Sequence, residues 1–127
     1  MKKSNEQKMV IREILENAKE VSGRTATEIV AWSRPKGART VFYRAKDGEA
    51  SDEVMICVFL GCDAPAKEFL RYLRACSISL SKEFRRDKII LDYVSTNDMK
   101  YDVFTLNDML MDAGEDPLFI EELEDER

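Results

Sequence analysis

With 127 residues, 44 % of them apolar and 35 % charged, and a formal net charge of −5, the chain is long enough to bury one core and too apolar for general disorder. No window approaches the ~18 apolar residues of a membrane-spanning helix, and Met1 to Gln7 lack the apolar core of a signal peptide, so a cytoplasmic protein without a membrane partner is expected. The chain has no histidine and three cysteines, which excludes His-based acid–base catalysis, Ser-His and Cys-His nucleophile pairs and His-containing metal sites, and argues against a disulfide framework.

In chain order, Ser4 and Gln7 match a capping box, and Val10, Ile14, Ala18 and Val21, joined by Ile11 and Leu15, make an apolar stripe. With Gly23 as a stop, the pattern predicts a helix over about Asn5–Val21.

Thr25 to Lys46 reads two ways. Thr27–Trp32 and Arg39–Arg44 are rich in β-branched and aromatic residues, with turn chemistry over Ser33–Gly37 between them, which favours two strands. As helices, Thr25 and Glu28 form a second capping box, and the two halves have helix-turn-helix proportions. The strand reading is preferred, because Val41, Phe42 and Tyr43 in succession suit a short recognition helix poorly and Asp47-Gly48 marks a turn into the next strand.

Glu53–Gly61 is apolar on both alternating faces and is read as an interior strand. Asp63 and Pro65 then open a long helix, Ala64 to Phe84, with Phe69, Leu73, Cys76, Leu80 and Phe84 on one face. Lys88–Ser95 is a further strand, Thr96-Asn97-Asp98 a turn and Lys100–Phe104 an optional last strand. Thr105 and Asp108 resemble a helix start, with Leu106, Met109 and Leu110 inward and Gly114 as the stop. Asp116-Pro117 starts a final helical turn over Leu118–Glu124.

The expected fold is therefore a single α+β domain over 1–127, with an N-terminal helix and one long central helix on a four- to five-stranded mixed sheet, in the order α-β-β-β-α-β-(β)-α. Its first five elements resemble, in topology alone, a double-stranded-RNA-binding domain. The place where that family carries a lysine cluster reads Cys62-Asp63-Ala64-Pro65-Ala66-Lys67 here, so membership is not claimed.

No glycine-rich phosphate loop, nucleophile elbow or kinase motif is present. Neither a cofactor, a metal nor a catalytic residue is expected. Cys62, between a strand end and a helix start, has a position that lowers a thiol pKa, but it has no identifiable base and Asp63 opposes its thiolate; a structural cysteine is preferred. Asp108 and Asp112 lie one helical turn apart without the cleft or metal motif that catalytic carboxylates need.

Charge is the clearest functional signal. Asp108 to Arg127 hold nine acids and one base, so this segment carries −8 and residues 1–107 carry +3. The expected function is a small non-enzymatic protein-binding module, an inhibitor or an immunity- or antitoxin-like protein. One concrete version is a mobile-element protein of anti-CRISPR or anti-restriction type that blocks a nucleic-acid-handling protein. The acidic surface of Asp112, Glu115, Asp116, Glu121, Glu122 and Glu124 is the candidate partner site; a solubilising tail, or one folded back on a basic strip of Lys67, Arg71, Arg74 and Arg85, is the alternative use. A second function class is nucleic-acid binding through Trp32, Arg34, Lys36, Arg39 and Arg44. An enzyme using carboxylate or Cys62 chemistry ranks last.

Overall fold

A computed structural model of the chain describes residues 3–33 and 39–118, the side chains of 32, 33, 39 and 40 excepted. It overturns the expected sheet: the described residues form α-helices joined by short connections, with no strand among them. The order is α1 (Asn5–Ser22), α2 (Ala26–Ser33), α3 (Arg39–Lys46), α4 (Asp52–Cys62), a 3-10 turn (Ala66–Glu68), α5 (Phe69–Ala75), α6 (Arg85–Thr96) and α7 (Val103–Asp112). The topological likeness to an RNA-binding domain falls with the strands that carried it.

α1 is built as its sequence dictates. The Ser4 side chain accepts from the Gln7 amide at 3.0 Å, the Gln7 side chain accepts from the Ser4 amide at 2.7 Å, and Gly23 ends the helix in the left-handed region. Ile11, Ile14, Leu15 and Ala18 face inward. The second capping box exists too: Thr25 and Glu28 exchange the same pair of bonds, at 2.8 and 3.1 Å. Residues 26–33 and 39–46 are thus the two helices of the less favoured reading. Their β-branched and aromatic side chains serve burial, with Ile29, Val30 and Phe42 inside. Asp47-Gly48 is no hairpin turn: Gly48 is left-handed, and the amides of Gly48 and Glu49 return to the carbonyls of Ala45 and Arg44, a Schellman stop for α3.

The apolar run read as an interior strand is α4, the hub of the molecule. Met55 through Cys62 are all buried, and α1, α2, α3 and α7 all pack on α4. A helix enclosed on every side is apolar all round, and its sequence matches that of a buried strand. Its start is marked by Ser51, whose side chain caps the helix. Asp63, expected to open the next helix, closes this one in the left-handed region at φ 55°.

The long helix expected over Ala64–Phe84 is cut at Ala75. Ser77 is left-handed (φ 61°), and the amides of Ser77 and Ile78 return to the carbonyls of Arg74 and Leu73 in a second Schellman stop. The Gln7 side chain clamps this stop, donating to the Ala75 carbonyl at 3.2 Å and the Ser77 hydroxyl at 2.7 Å. Phe84, placed on the core face by sequence, is solvent-exposed at the N-cap of α6.

The second apolar run, Lys88–Ser95, lies within α6, with Ile90, Tyr93 and Val94 buried at helical spacing. Of the stretch Lys100–Phe104, residues 100–102 lead into α7 and Val103 and Phe104 are its first residues, so no strand forms there. Tyr101 buries its ring and donates to the Ala64 carbonyl at 2.6 Å, while the Tyr93 hydroxyl donates to the Asp102 carbonyl and accepts from its amide. Around Phe59 the rings of Phe69, Tyr72 and Tyr101 lie 5.0, 5.0 and 6.0 Å away, and Tyr72 ties α5 to α4 by donating to the Met55 carbonyl at 2.6 Å. Among the described residues no helix is long and apolar enough to cross a membrane.

Candidate interaction surface

α7 is capped by Asp102 and begins at Val103, not at Thr105. The Asp102 carboxylate accepts from the Phe104 amide at 3.0 Å and from the Thr105 hydroxyl at 3.1 Å. Val103, Leu106 and Leu110 point into the core. Gly114, left-handed at φ 81°, ends the helix, with the amides of Gly114 and Glu115 returning to Met111 and Leu110. The sequence had placed Met109 inward, but it is 43 % exposed.

The opposite face carries Phe104, Asp108 and Met111 at the i, i+4, i+7 spacing of one helix side, with Asp112 beside them. Phe104 is 45 % and Met111 52 % exposed. Neither Asp108 nor Asp112 has a hydrogen-bonding or ion-pair partner among the described residues. This face therefore joins solvated apolar area to uncompensated negative charge. Its aromatic and methionine members escaped the sequence reading, although a second apolar spacing opposite Leu106 and Leu110 was there to be seen.

The segment after α7 is held down. Arg85 donates to the Ala113 carbonyl at 2.7 Å and lies 3.7 Å from the Glu115 carboxylate. Arg86 donates to the carbonyls of Asp116 (2.8 Å) and Pro117 (3.2 Å) and pairs with Glu53 at 2.9 Å. The Asn107 side chain brackets Leu118, accepting from its amide at 2.7 Å and donating to its carbonyl at 3.0 Å, and the Leu118 side chain is fully buried. Of the acidic residues singled out by sequence, Asp112 and Asp116 are exposed and Glu115 is half-buried against Arg85. Glu121, Glu122 and Glu124 lie outside the described residues. Of the basic strip expected to receive the tail, Arg85 meets residues 113 and 115; Arg86, which was not part of that strip, holds the backbone of 116 and 117. Arg71 instead bridges Glu13 (2.7 Å) and Glu68 (3.1 Å).

The basic and aromatic candidates are only partly described. Arg34 and Lys36, and the side chains of Trp32 and Arg39, lie outside the described residues. Arg44 and Tyr43 are exposed on α3. Beside them Lys46 is taken up by Glu16 at 2.7 Å and stacks 5.1 Å from the Tyr43 ring centre.

Cys62 does not stand between a strand end and a helix start. It is the last residue of α4, buried at the floor of a groove between α1 and the Asp63–Glu68 segment. Burial pushes its thiol up to about 12, with the Arg24 guanidinium pulling the other way and losing. Burial likewise pushes Cys76 up to about 12. Burial thus disfavours the thiolate form of both at neutral pH. Among the described residues no group of histidine, cysteine, aspartate or glutamate is placed to hold a metal ion.

Set against known proteins, the chain matches no family model, no curated protein and no solved structure.

Proposed function

We propose that the protein is a small non-enzymatic binding module that engages another protein through the outward face of α7. The observation that carries this reading is the juxtaposition of Phe104 and Met111, both half exposed, with Asp108 and Asp112, which have no cationic partner among the described residues. Exposed aromatic and methionine side chains give a partner apolar contact area, and unpaired carboxylates beside them select for a basic rim. A basic surface is the electrostatic footprint of proteins that grip nucleic acid, so an inhibitor-like role against such a protein is the form we favour.

The test is affinity capture with the wild-type chain, Phe104→Ala and Asp108→Lys/Asp112→Lys at two salt concentrations. The reading expects a captured protein that is lost in both variants and released by salt. Capture that survives both changes removes the α7 face from the account.

A second reading, nucleic-acid binding through α2 and α3, is favoured by one observation: residues 26–33 and 39–46 are a packed helix pair with Arg44 and Tyr43 outward. Fluorescence anisotropy with labelled duplex and single-stranded DNA at low salt, repeated with Arg44→Ala, Arg39→Ala and Lys36→Ala, separates it from the first.

A further inference from the structure

Asp47-Gly48 is the one place in the sequence where an aspartate or asparagine precedes a glycine. Such a pair closes a succinimide ring most readily, because glycine brings no side chain to shield its amide nitrogen. The fold fixes both members. Gly48 is left-handed at φ 73°, and a Cβ there would meet the Lys3 side chain at 3.0 Å and that of Ile11 at 3.5 Å, so the stop of α3 calls for glycine. Asp47 receives the Arg12 guanidinium at 2.5 Å, a bond that ties this stop to α1.

Both reacting groups are engaged in the folded chain. The Gly48 amide donates to the Ala45 carbonyl at 2.9 Å, and Arg12 holds the Asp47 carboxylate. Ring closure requires the amide to leave Ala45 and the carboxylate to turn off Arg12. The two side chains of that ion pair are 52 % and 47 % exposed, so its strength is modest and it opens by local fluctuation, without global unfolding.

We propose that Asp47 is a site of spontaneous isoaspartate formation, gated by its bond to Arg12. With the latch open, the Gly48 nitrogen bonds to Cγ of Asp47. The amide proton, one carboxylate oxygen and a proton from solvent leave as water, and the succinimide closes. Water then adds to the main-chain carbonyl carbon of Asp47 and breaks its bond to the Gly48 nitrogen. The chain now runs through Cβ and Cγ, and the freed α-carboxylate returns the proton. The product carries one extra main-chain carbon inside the Schellman stop, where the amides of Gly48 and Glu49 reach back to Ala45 and Arg44. That carbon displaces both bonds and lifts Gly48 off the fully buried Ile11, so the seam between α1 and α3 opens at this end. The site shares no residue with the α7 face and stands or falls apart from the proposed partner binding.

The test is incubation of the full chain in heavy-oxygen water at mildly acidic pH, followed by peptide mapping. Heavy oxygen and loss of cleavage by an aspartate-specific protease should accumulate at Asp47 faster than at any other aspartate. Arg12→Met should react about two- to five-fold faster than the wild type, the rise in open population that loss of an exposed ion pair allows. The chain unfolded in guanidinium should react faster still. Asp47→Glu keeps a carboxylate for Arg12 but cannot close the succinimide, and should stay unlabelled at this position. The isoaspartate form, separated chromatographically, should be cut by a protease within residues 44–49 faster than the unmodified protein. Absence of isoaspartate from both folded proteins would overturn the site. Equal rates in the wild type, Arg12→Met and the unfolded chain would overturn the gate, and equal proteolysis of the two forms would overturn the opening of the seam.

Discussion

Gly61 of α4 lies directly against the backbone of Ile29 in α2, so close that a Cβ on Gly61 would overlap the Ile29 carbonyl oxygen. The obstacle is backbone, which cannot rotate aside as a side-chain tip can, and the two helices make the most extensive helix–helix contact among the described residues. Gly61→Ala should therefore destabilise the fold by about 1–3 kcal/mol, the usual cost of overpacking, despite alanine's better helix propensity. Urea unfolding followed by circular dichroism reads this directly. An unchanged or raised midpoint would mean that α2 and α4 slide apart without cost.

The bracket around Leu118 gives a second expectation. Asn107→Ala removes both side-chain bonds to the Leu118 backbone, and its loss should cost about 1–2 kcal/mol. Arg86→Met, which also leaves Glu53 without that partner, should act in the same direction. Both variants should be cut faster by a protease within residues 113–118 than the wild type. Equal cleavage rates would show that the buried Leu118 side chain alone holds the segment.

On the alkaline side the sign is fixed by the thiols. Cys62 and Cys76 rise from 9.0 to about 12 on folding, chiefly through burial, and Tyr101 rises from 10.0 to about 12 for the same reason. The native state thus holds protons that the unfolded chain releases. Stability from these groups is complete below pH 9 and is lost as pH rises through 9 to 12. Urea midpoints measured from pH 7 to 11 should fall above pH 9, and alkylation of native Cys62 at neutral pH should be slower than that of a model thiol. A flat profile, or rapid alkylation without unfolding, contradicts this burial.

The outward residues of α7 should behave in the opposite way to Gly61. Phe104→Ala and Met111→Ala remove solvated area, so their stability should stay within about 0.5 kcal/mol of the wild type, while capture of a partner is lost. A large stability loss would place these side chains in the core and withdraw them from the binding surface.

The sequence yielded α1 to within a residue, because its signals are local: a capping box at Ser4, a glycine at position 23 and a stripe at helical period between them. It misread α4 because Met55–Cys62 present no polar face, and a segment without amphipathicity has no period to detect. The cap at Ser51 and the acids Asp52 and Glu53 in the first turn were the available clues. α2 fell to the same error from the other side, since the capping box of Thr25 and Glu28 was visible but outweighed by β-branched content that burial explains. The stop at Ser77 was beyond local reading: a serine in the left-handed region is held there by Gln7, some seventy positions earlier in the chain. For the candidate surface, the acidic residues Asp108 and Asp112 were legible, whereas its apolar members emerged only once the inward side of α7 had been identified.

Enclosure of α4 separates stability from recognition. Every side chain from Met55 to Cys62 is committed to packing, so this stretch of the helix offers nothing for a partner to read. Phe104, Asp108 and Met111 stand on the surrounding shell. Substitutions there leave the hub untouched, and a new binding specificity can be written onto α7 without first restabilising the protein.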